Sequence, residues 1–332
     1  MASMTLNPLG ESTLMRKAYG EALVELGRNR DDLVVLSADV QSSDFSSMFE
    51  TAFPDRFINV GIAEPALVDV AVGLANAGKI PIANTFAFLF ATRALEMVRT
   101  HLCYAGANVK LAGAYAGLSD SFDGPTHQTV ADLAIFRSLP NITIVVPADA
   151  SAVKKLLPQI AAWKGPVYFR ICRNEVPAVF GEDYQPEIGK GITLIEGSDV
   201  TIVACGIMVA RAVQAAWQLR ENNIRARVVE MHTIKPIDTD LVTRCARETG
   251  VLVSAEEHSI VGGLGGAIAE CLSESCPVPL ERVGVNDAFA EFGPYLELLE
   301  KYGLGVDAIV AAAERALARK AQESSKLICV AG

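Results

Sequence analysis

Short apolar runs alternate with stretches of helical periodicity along this chain, and that alternation constrains its fold more than any other feature. Candidate strands at residues 33–36, 57–60, 80–84, 108–113, 142–146 and 167–171 are rich in Val, Ile and Phe, and several are bounded by Pro, Gly or Asp. Helical patterns fill the gaps at 12–27, 43–51, 64–77, 88–104, 129–137 and 149–162. Strands and helices in strict alternation predict a parallel sheet covered on both faces. Ligands of such sheets sit at the carboxyl ends of the strands.

The pattern breaks at 177–190, where VFGEDYQPEIGK brings Pro, Gly and mixed charge, and then resumes. DVTIVAC reads as a strand, and 206–222 as a helix with Val209, Val213, Ala216 and Trp217 on one face. ARVVEMH is a strand, Asp238 or Thr239 caps the next helix, and VLVSAEE, GGLGGAIAECL and LERVGV read as strand, helix and strand. A last helix is expected over 306–320. The 332 residues therefore divide into a first α/β domain at 8–178, a linker at 179–195, a smaller α/β domain at 196–322 and a loose tail at 323–332.

Composition narrows the function. A net charge of −10 leaves no basic excess to neutralise a nucleic-acid backbone, yet allows a small anionic substrate, which needs only a few local cations. The longest stretch without Asp, Glu, Lys or Arg is 13 residues, at 80–92, whereas a membrane span takes about 20. The opening MASMTLNPLGEST has no basic segment followed by an apolar one, so no secretory signal is expected. Seven cysteines, with no CxxC pair and an odd count, point to reduced thiols in the cytoplasm.

Four stretches carry possible chemistry. In NVGIAEPALVDVAVGLANAGK, Glu64 stands where a strand gives way to an apolar helix. It is either a helix-start acid favoured by the dipole or a buried carboxylate that needs a proton or a partner. In TFAFLFATR, Phe86, Phe88, Leu89 and Phe90 follow a strand end, where they pack the core or stack on a flat ligand. SDSFDGPTHQT puts Asp123 and His127 on one turn, so His127 is either a satisfied turn histidine or an acid/base or hydroxyl-binding group. GPVYFRICR, at 165–173, ends on arginine. No cluster of oxygen ligands has metal spacing. EEHSIVGGLGG, at 256–266, reads as a helix entry with His258 as a local polar contact rather than as a dinucleotide site.

Taken together, GIAE, TF with further aromatics, DGPTHQ and GPVYFRICR, in that order and spacing, resemble the second half of a transketolase. The likeness spans about 12–320 and covers the pyrimidine-binding and C-terminal domains. It implies that Glu64 hydrogen-bonds the aminopyrimidine nitrogen of thiamine diphosphate, and that Phe86 and one of Phe88, Leu89 and Phe90, with Phe90 preferred, stack on the ring. Asp39 would offset the thiazolium charge. Arg16, 23 residues before Asp39, with Ser43, Arg173 and Arg170, would bind a sugar phosphate, which suits the guanidinium fork. Asp123 and His127 would grip the ketose hydroxyls, which makes Glu64 and His127 the catalytic pair. One departure stands out: Tyr115 occupies the place, twelve residues before His127, where the family commonly has another histidine.

The resemblance also implies a partner. The diphosphate and Mg2+ of a complete transketolase are held by a preceding domain whose signature is GDG, and GDG does not occur here. A split enzyme is expected, with two copies each of this chain and of a diphosphate-binding subunit, and with the C-terminal domain in the dimer contact. Its reaction would move a two-carbon ketol unit from a ketose phosphate to an aldose. Alternative readings are the β subunit of a 2-oxo acid dehydrogenase, a deoxyxylulose-phosphate-synthase-like enzyme, and a non-catalytic interaction subunit.

Overall fold

The apolar runs become strands, and the most apolar of them are buried on both faces. The computed structural model describes residues 9–330. After the short β1 (Ser12–Leu14) come β2 (Leu33–Ser37), β3 (Phe57–Asn59), β4 (Ile80–Phe86), β5 (Lys110–Ala114), β6 (Thr143–Val145) and β7 (Val167–Ile171). These last six lie in one sheet, parallel at every pairing. β8 (Glu175–Pro177) pairs antiparallel with β1. The second half contributes β9 (Ile192–Ile195), β10 (Val200–Ala204), β11 (Ala226–Glu230), β12 (Thr233–Lys235), β13 (Leu252–Ser259) and β14 (Leu280–Val285). Five of these form a second sheet in the order β14-β13-β10-β11-β9, with only the edge strand β9 antiparallel.

β12 leaves its own half and pairs antiparallel with β6, so the first sheet reads β12-β6-β7-β5-β4-β2-β3. The apolar core is also shared: Val35 and Phe169 of the first sheet belong to the same buried cluster as Ile202 and Val253 of the second. The two α/β domains expected from the pattern are present, and they are packed against each other.

Several local expectations need correction. The helix expected at 12–27 is β1 followed by a helix over Met15–Asn29. The one at 43–51 is two short helices, Gln41–Asp44 and Ser47–Ala52, interrupted by left-handed Phe45. The one at 88–104 breaks into Ala87–Ala91, Leu95–Met97 and a wide π-type turn at Val98–Tyr104. On the helix Met208–Glu221, Val209, Val213 and Ala216 are buried but Trp217 is 37% exposed.

The stretch 179–195 is packed rather than loose. Phe180 and Tyr184 stack at 3.8 Å and are buried, the Tyr184 hydroxyl donates to Glu230, and β9 ends the segment. Asp238, not Thr239, caps its helix by accepting from the Leu241 N–H at 3.0 Å. The final helix runs over Val306–Val330, so 323–330, expected as tail, continues it; residues 8, 331 and 332 lie outside the described residues. Among the described residues no helix is long and apolar enough to cross a membrane. Cys103, Cys172, Cys205, Cys245, Cys271 and Cys276 are free thiols, all but Cys276 buried.

Candidate active site

The parallel strands all point their carboxyl ends at one edge of the first sheet, and most of the singled-out residues lie there. Asp39, two residues beyond β2, is exposed, adopts φ 63° and accepts from Asn59 Nδ2 at 3.0 Å. Glu64 opens the helix Glu64–Asn76, with a proline next to it in the first turn, and is 1% exposed. Its burial is compensated: Arg93 Nη1 donates to both carboxylate oxygens, at 3.1 and 3.0 Å. Arg93 belongs to the same TFAFLFATR stretch as the aromatics, so that stretch is tied to the Glu64 helix.

Phe86, the last residue of β4, stacks on Tyr115 with centroids 4.6 Å apart and planes 14° apart, and presents its edge to His127 at 6.4 Å. Phe88 lies 5.1 Å from His127. Both phenylalanines are partly exposed. Phe90 is not: it has no exposed surface and belongs to the same buried apolar cluster as Ala87, Val98 and Leu102, while Leu89 is also buried. The second aromatic at the sheet edge is therefore Phe88, and the expectation for Phe90 is corrected by its burial.

Tyr115 follows β5 with φ 60°, nearly buried. Besides Phe86, its ring has two cations near it, with the Arg173 guanidinium 4.7 Å and the Arg16 guanidinium 5.3 Å from its centroid. Arg16 donates from Nε to the Arg173 carbonyl at 2.8 Å, and from Nη1 to the Tyr115 hydroxyl at 3.2 Å and to the Ser43 carbonyl. Ser43 thus meets Arg16 through its backbone. Arg173 Nη1 donates to Asp120 Oδ1 at 2.5 Å and lies 3.6 Å from Asp123 Oδ2. Burial, reinforced by the neighbouring Asp123 carboxylate, pushes the Asp120 carboxyl up to about 7 against the pull of Arg173. His127 Nδ1 is 3.0 Å from the Thr126 hydroxyl.

Arg170 is placed elsewhere. Three residues before Arg173, it is 4% exposed and fully engaged: Nε and Nη2 grip Asp132 at 2.8 and 3.0 Å, Nη2 reaches the Thr129 carbonyl and Nη1 the Glu257 carbonyl, each at 3.0 Å. Tyr168 adds a 2.6 Å bond to Asp132. Burial raises the Asp132 carboxyl, but the charges of Arg170 and His258 outweigh it and leave it below the usual range. The expected substrate role of Arg170 is corrected: it is a structural cation at the junction of the two halves.

That junction holds the loop carrying Asp123 and His127. A bridge between Gly117 and Thr129 closes the loop, and Glu257 accepts from the Leu118 N–H at 2.8 Å and from the Tyr295 hydroxyl at 2.9 Å. Gln128 donates to the Glu291 carbonyl, and the Gly293 N–H to that of Ser121. Burial pushes the Glu257 carboxyl up to about 7, opposed by Arg170. The glycine-rich turn is occupied by its own chain: Glu256 accepts from the N–H groups of Leu264 and Gly265 at 2.6 and 2.8 Å, and a Cβ on Gly263 would fall 2.0 Å from Glu256 Oε2. His258, buried beside it, meets the Ser259 carbonyl at 2.7 Å, and its Nε2 accepts from the Ala134 N–H of the first half at 3.3 Å, so the expected local contact also reaches across the junction.

Sequence reasoning missed Arg93, Asp120 and Glu257. Asp120 was the most accessible of them, being a second acid three residues before Asp123 in the same loop. Arg93 and Glu257 carried no local signal, because their partners lie 29 and 139 residues away. Among the described residues no three His, Cys, Asp or Glu side chains group to hold a metal ion.

Residues 11–179 match the family described as transketolase, pyrimidine binding domain, and residues 189–309 match transketolase, C-terminal domain. The 6-deoxy-6-sulfo-D-fructose transketolase subunit SqwH of Clostridium sp. strain MSTE9 is 42% identical over 310 residues, which are 93% of this chain and 96% of that protein. An apulose-4-phosphate transketolase subunit of Phocaeicola vulgatus is 38% identical over 295 residues, 89% and 94% of the two chains. Among solved structures, a split gene transketolase in the form of an inactive β4 tetramer superposes with a TM-score of 0.87 at 50% identity, covering 92% of this chain and 99% of that one.

Proposed function

The chain belongs to the transketolase family, and on that premise we propose that it is one subunit of a split, thiamine-diphosphate-dependent enzyme that moves a two-carbon ketol unit from a ketose to an aldose. The observation that carries this reading is Glu64, a buried carboxylate at the start of an apolar helix, bonded to the stretch whose Phe86 and Phe88 approach His127 at the sheet edge.

The residues fit one end of the cofactor. Two partly exposed aromatic rings suit a flat pyrimidine, and the Glu64 oxygens keep acceptor capacity beyond the Arg93 bonds. They do not fit the other end, because no metal-holding group of side chains stands among the described residues. We assign the diphosphate and Mg2+ to a separate subunit. Support comes from the relatives named as subunits, which this chain matches over nearly their whole length. Two copies of each chain make the simplest closed assembly, and the thiols suit a cytoplasmic setting.

When bound, thiamine diphosphate supplies the electron sink for breaking and forming the carbon–carbon bond. This chain's residues do the rest. Glu64 holds a proton at the pyrimidine nitrogen, Phe86 and Phe88 confine the ring, and Asp39 adds negative charge at the end of β2. Asp123 and His127 bind the ketose hydroxyls, positioned by the contacts of the second half on their loop.

The test is calorimetric titration of thiamine diphosphate with Mg2+ into this chain, alone and mixed with a candidate diphosphate-binding subunit. Binding only in the mixture is expected, and tight binding to the chain alone would refute the split site. In the complex, Glu64→Gln is expected to lower ketol transfer roughly 10²–10⁴-fold. Decarboxylation of pyruvate without ketol transfer would favour the 2-oxo acid dehydrogenase reading instead.

A further inference from the structure

The loop that carries Asp123 and His127 is buried at its stem and exposed at its tip. Residues 116–121 are buried, whereas Asp123 is exposed and His127 partly so. The bridge between Gly117 and Thr129 brings the two ends of the loop together. Three hydrogen bonds tie it to the second half. The Leu118 N–H donates to Glu257 Oε1 at 2.8 Å, Gln128 Nε2 to the Glu291 carbonyl at 3.0 Å, and the Gly293 N–H to the Ser121 carbonyl at 3.0 Å. The last two use backbone groups of the second half. Among the described residues, only the first uses a second-half side chain, that of Glu257.

The Glu257 carboxyl also fixes the other two contacts. Its Oε1 accepts a second bond, at 2.9 Å, from the hydroxyl of Tyr295, the residue that opens the helix Tyr295–Lys301. Glu291 and Gly293 lie just before Tyr295 in the chain, so the backbone that meets Gln128 and Ser121 is anchored through the same oxygen. The fit on the loop side is close. Gly117 has φ 65°, and a Cβ built on it would lie 2.3 Å from Glu257 Cδ and 2.5 Å from each carboxyl oxygen, so the carboxyl group packs directly on the glycine backbone. The role needs no charge. Burial pushes the Glu257 carboxyl up to about 7, and a protonated carboxyl still accepts through its carbonyl oxygen. Glu64 and its partner Arg93 lie outside this network.

We propose that Glu257, braced by Tyr295, is the positioning residue that sets Asp123 and His127 against the sugar part of the ketose, so that the second domain takes part in donor recognition. The proposal rests on the ketol-transfer reading above and deepens it.

Two measurements test it. Amide hydrogen exchange of the full chain reads the loop without turnover. Glu257→Ala is expected to speed exchange of residues 118–129 at least about tenfold. Glu257→Gln is expected to stay near wild type, because its amide oxygen keeps two lone pairs. Equal protection of the loop in wild type and Glu257→Ala would overturn the proposal.

The second measurement uses the reconstituted complex and two kinds of donor. One is a ketopentose and a ketohexose, free and as terminal phosphate esters. The other is 3-hydroxypyruvate without an acceptor, followed by carbon dioxide release; it yields the same two-carbon unit and has no sugar hydroxyls beyond it. Glu257→Ala is expected to lower kcat/KM for the ketoses about 10²-fold and for hydroxypyruvate far less, with Glu257→Gln restoring most of the loss. A general loss of folding lowers both donors alike, so an equal fall on both would overturn the proposal. Tyr295→Phe is expected to give the same selective fall, about three- to tenfold, and decides in place of Glu257→Ala if that variant does not assemble; an unchanged donor ratio would then overturn the proposal. Ketol transfer from none of the ketoses by the wild type would refute the ketol-transfer reading, while hydrogen exchange would still decide whether Glu257 holds the loop.

Discussion

Arg170 and Arg173 stand three residues apart, at and just beyond the end of β7, and they have opposite fates. Arg170 points into the junction of the two halves, where Asp132 and two backbone carbonyls saturate it. Arg173 lies at the sheet edge with 31% of its side chain exposed, tied to carboxylates of a loop. The interior pair is a fixed part of the architecture, because either member alone would be a buried unpaired charge. The edge pair is adjustable, because water can compensate part of what is lost on rearrangement. Distance from solvent, not residue type, separates a structural arginine from one that meets a ligand.

The largest expected effects test the interior. Arg170→Met strands Asp132 and should lower stability by about 3–5 kcal/mol in urea unfolding; a loss near zero would mean the junction tolerates the naked carboxylate. Phe90→Ala should cost about as much, roughly 3–5 kcal/mol, through the cavity it leaves. Phe88→Ala should instead leave stability nearly intact and weaken cofactor binding in the assembled complex, and the reverse pattern would exchange the two assignments.

Glu257 gives a mid-sized effect with a defined sign. Burial raises its carboxyl from 4.5 to about 7, so the folded state holds the proton more tightly than the unfolded one. Its contribution is therefore full below the unfolded value and is lost as pH rises through about 7. Wild-type stability should fall between about pH 5 and 8, and Glu257→Gln should flatten that slope by roughly 1–3 kcal/mol, measured by unfolding across the range. The smallest effect belongs to the edge: Arg173→Lys should change stability by less than about 1 kcal/mol while altering the donor KM. A large stability loss would place Arg173 in the same class as Arg170.

Much of the fold was legible because periodicity is local. A run such as Leu33–Ser37 or Val167–Ile171 has no polar face to leave in water, so it has to be covered on both sides. The breaks were less legible. Phe45 interrupts a helix by turning left-handed, and the 179–195 stretch hides buried Phe180 and Tyr184 behind a composition that reads as linker. At the site, Glu64, Phe86, Asp123, His127 and Arg173 stood out by type and position, whereas Phe90 and Phe88 were indistinguishable in sequence. Both are phenylalanines just past a strand end and share the helix Ala87–Ala91, where two residues of separation turn them about 200° apart, so one ring faces inward and the other stays beside His127.

By itself, then, the sequence determined the parallel α/β layering, the family and the sheet edge at which chemistry gathers, since each follows from patterns within a few tens of residues. The tertiary structure decided which charges are spent. Arg93 on Glu64, Asp120 on Arg173, Asp132 on Arg170 and Glu257 under the loop are pairings set by burial and by distances of a few ångström. The availability of a charge to a ligand depends on what already neutralises it, and that neighbour is chosen by the folded chain.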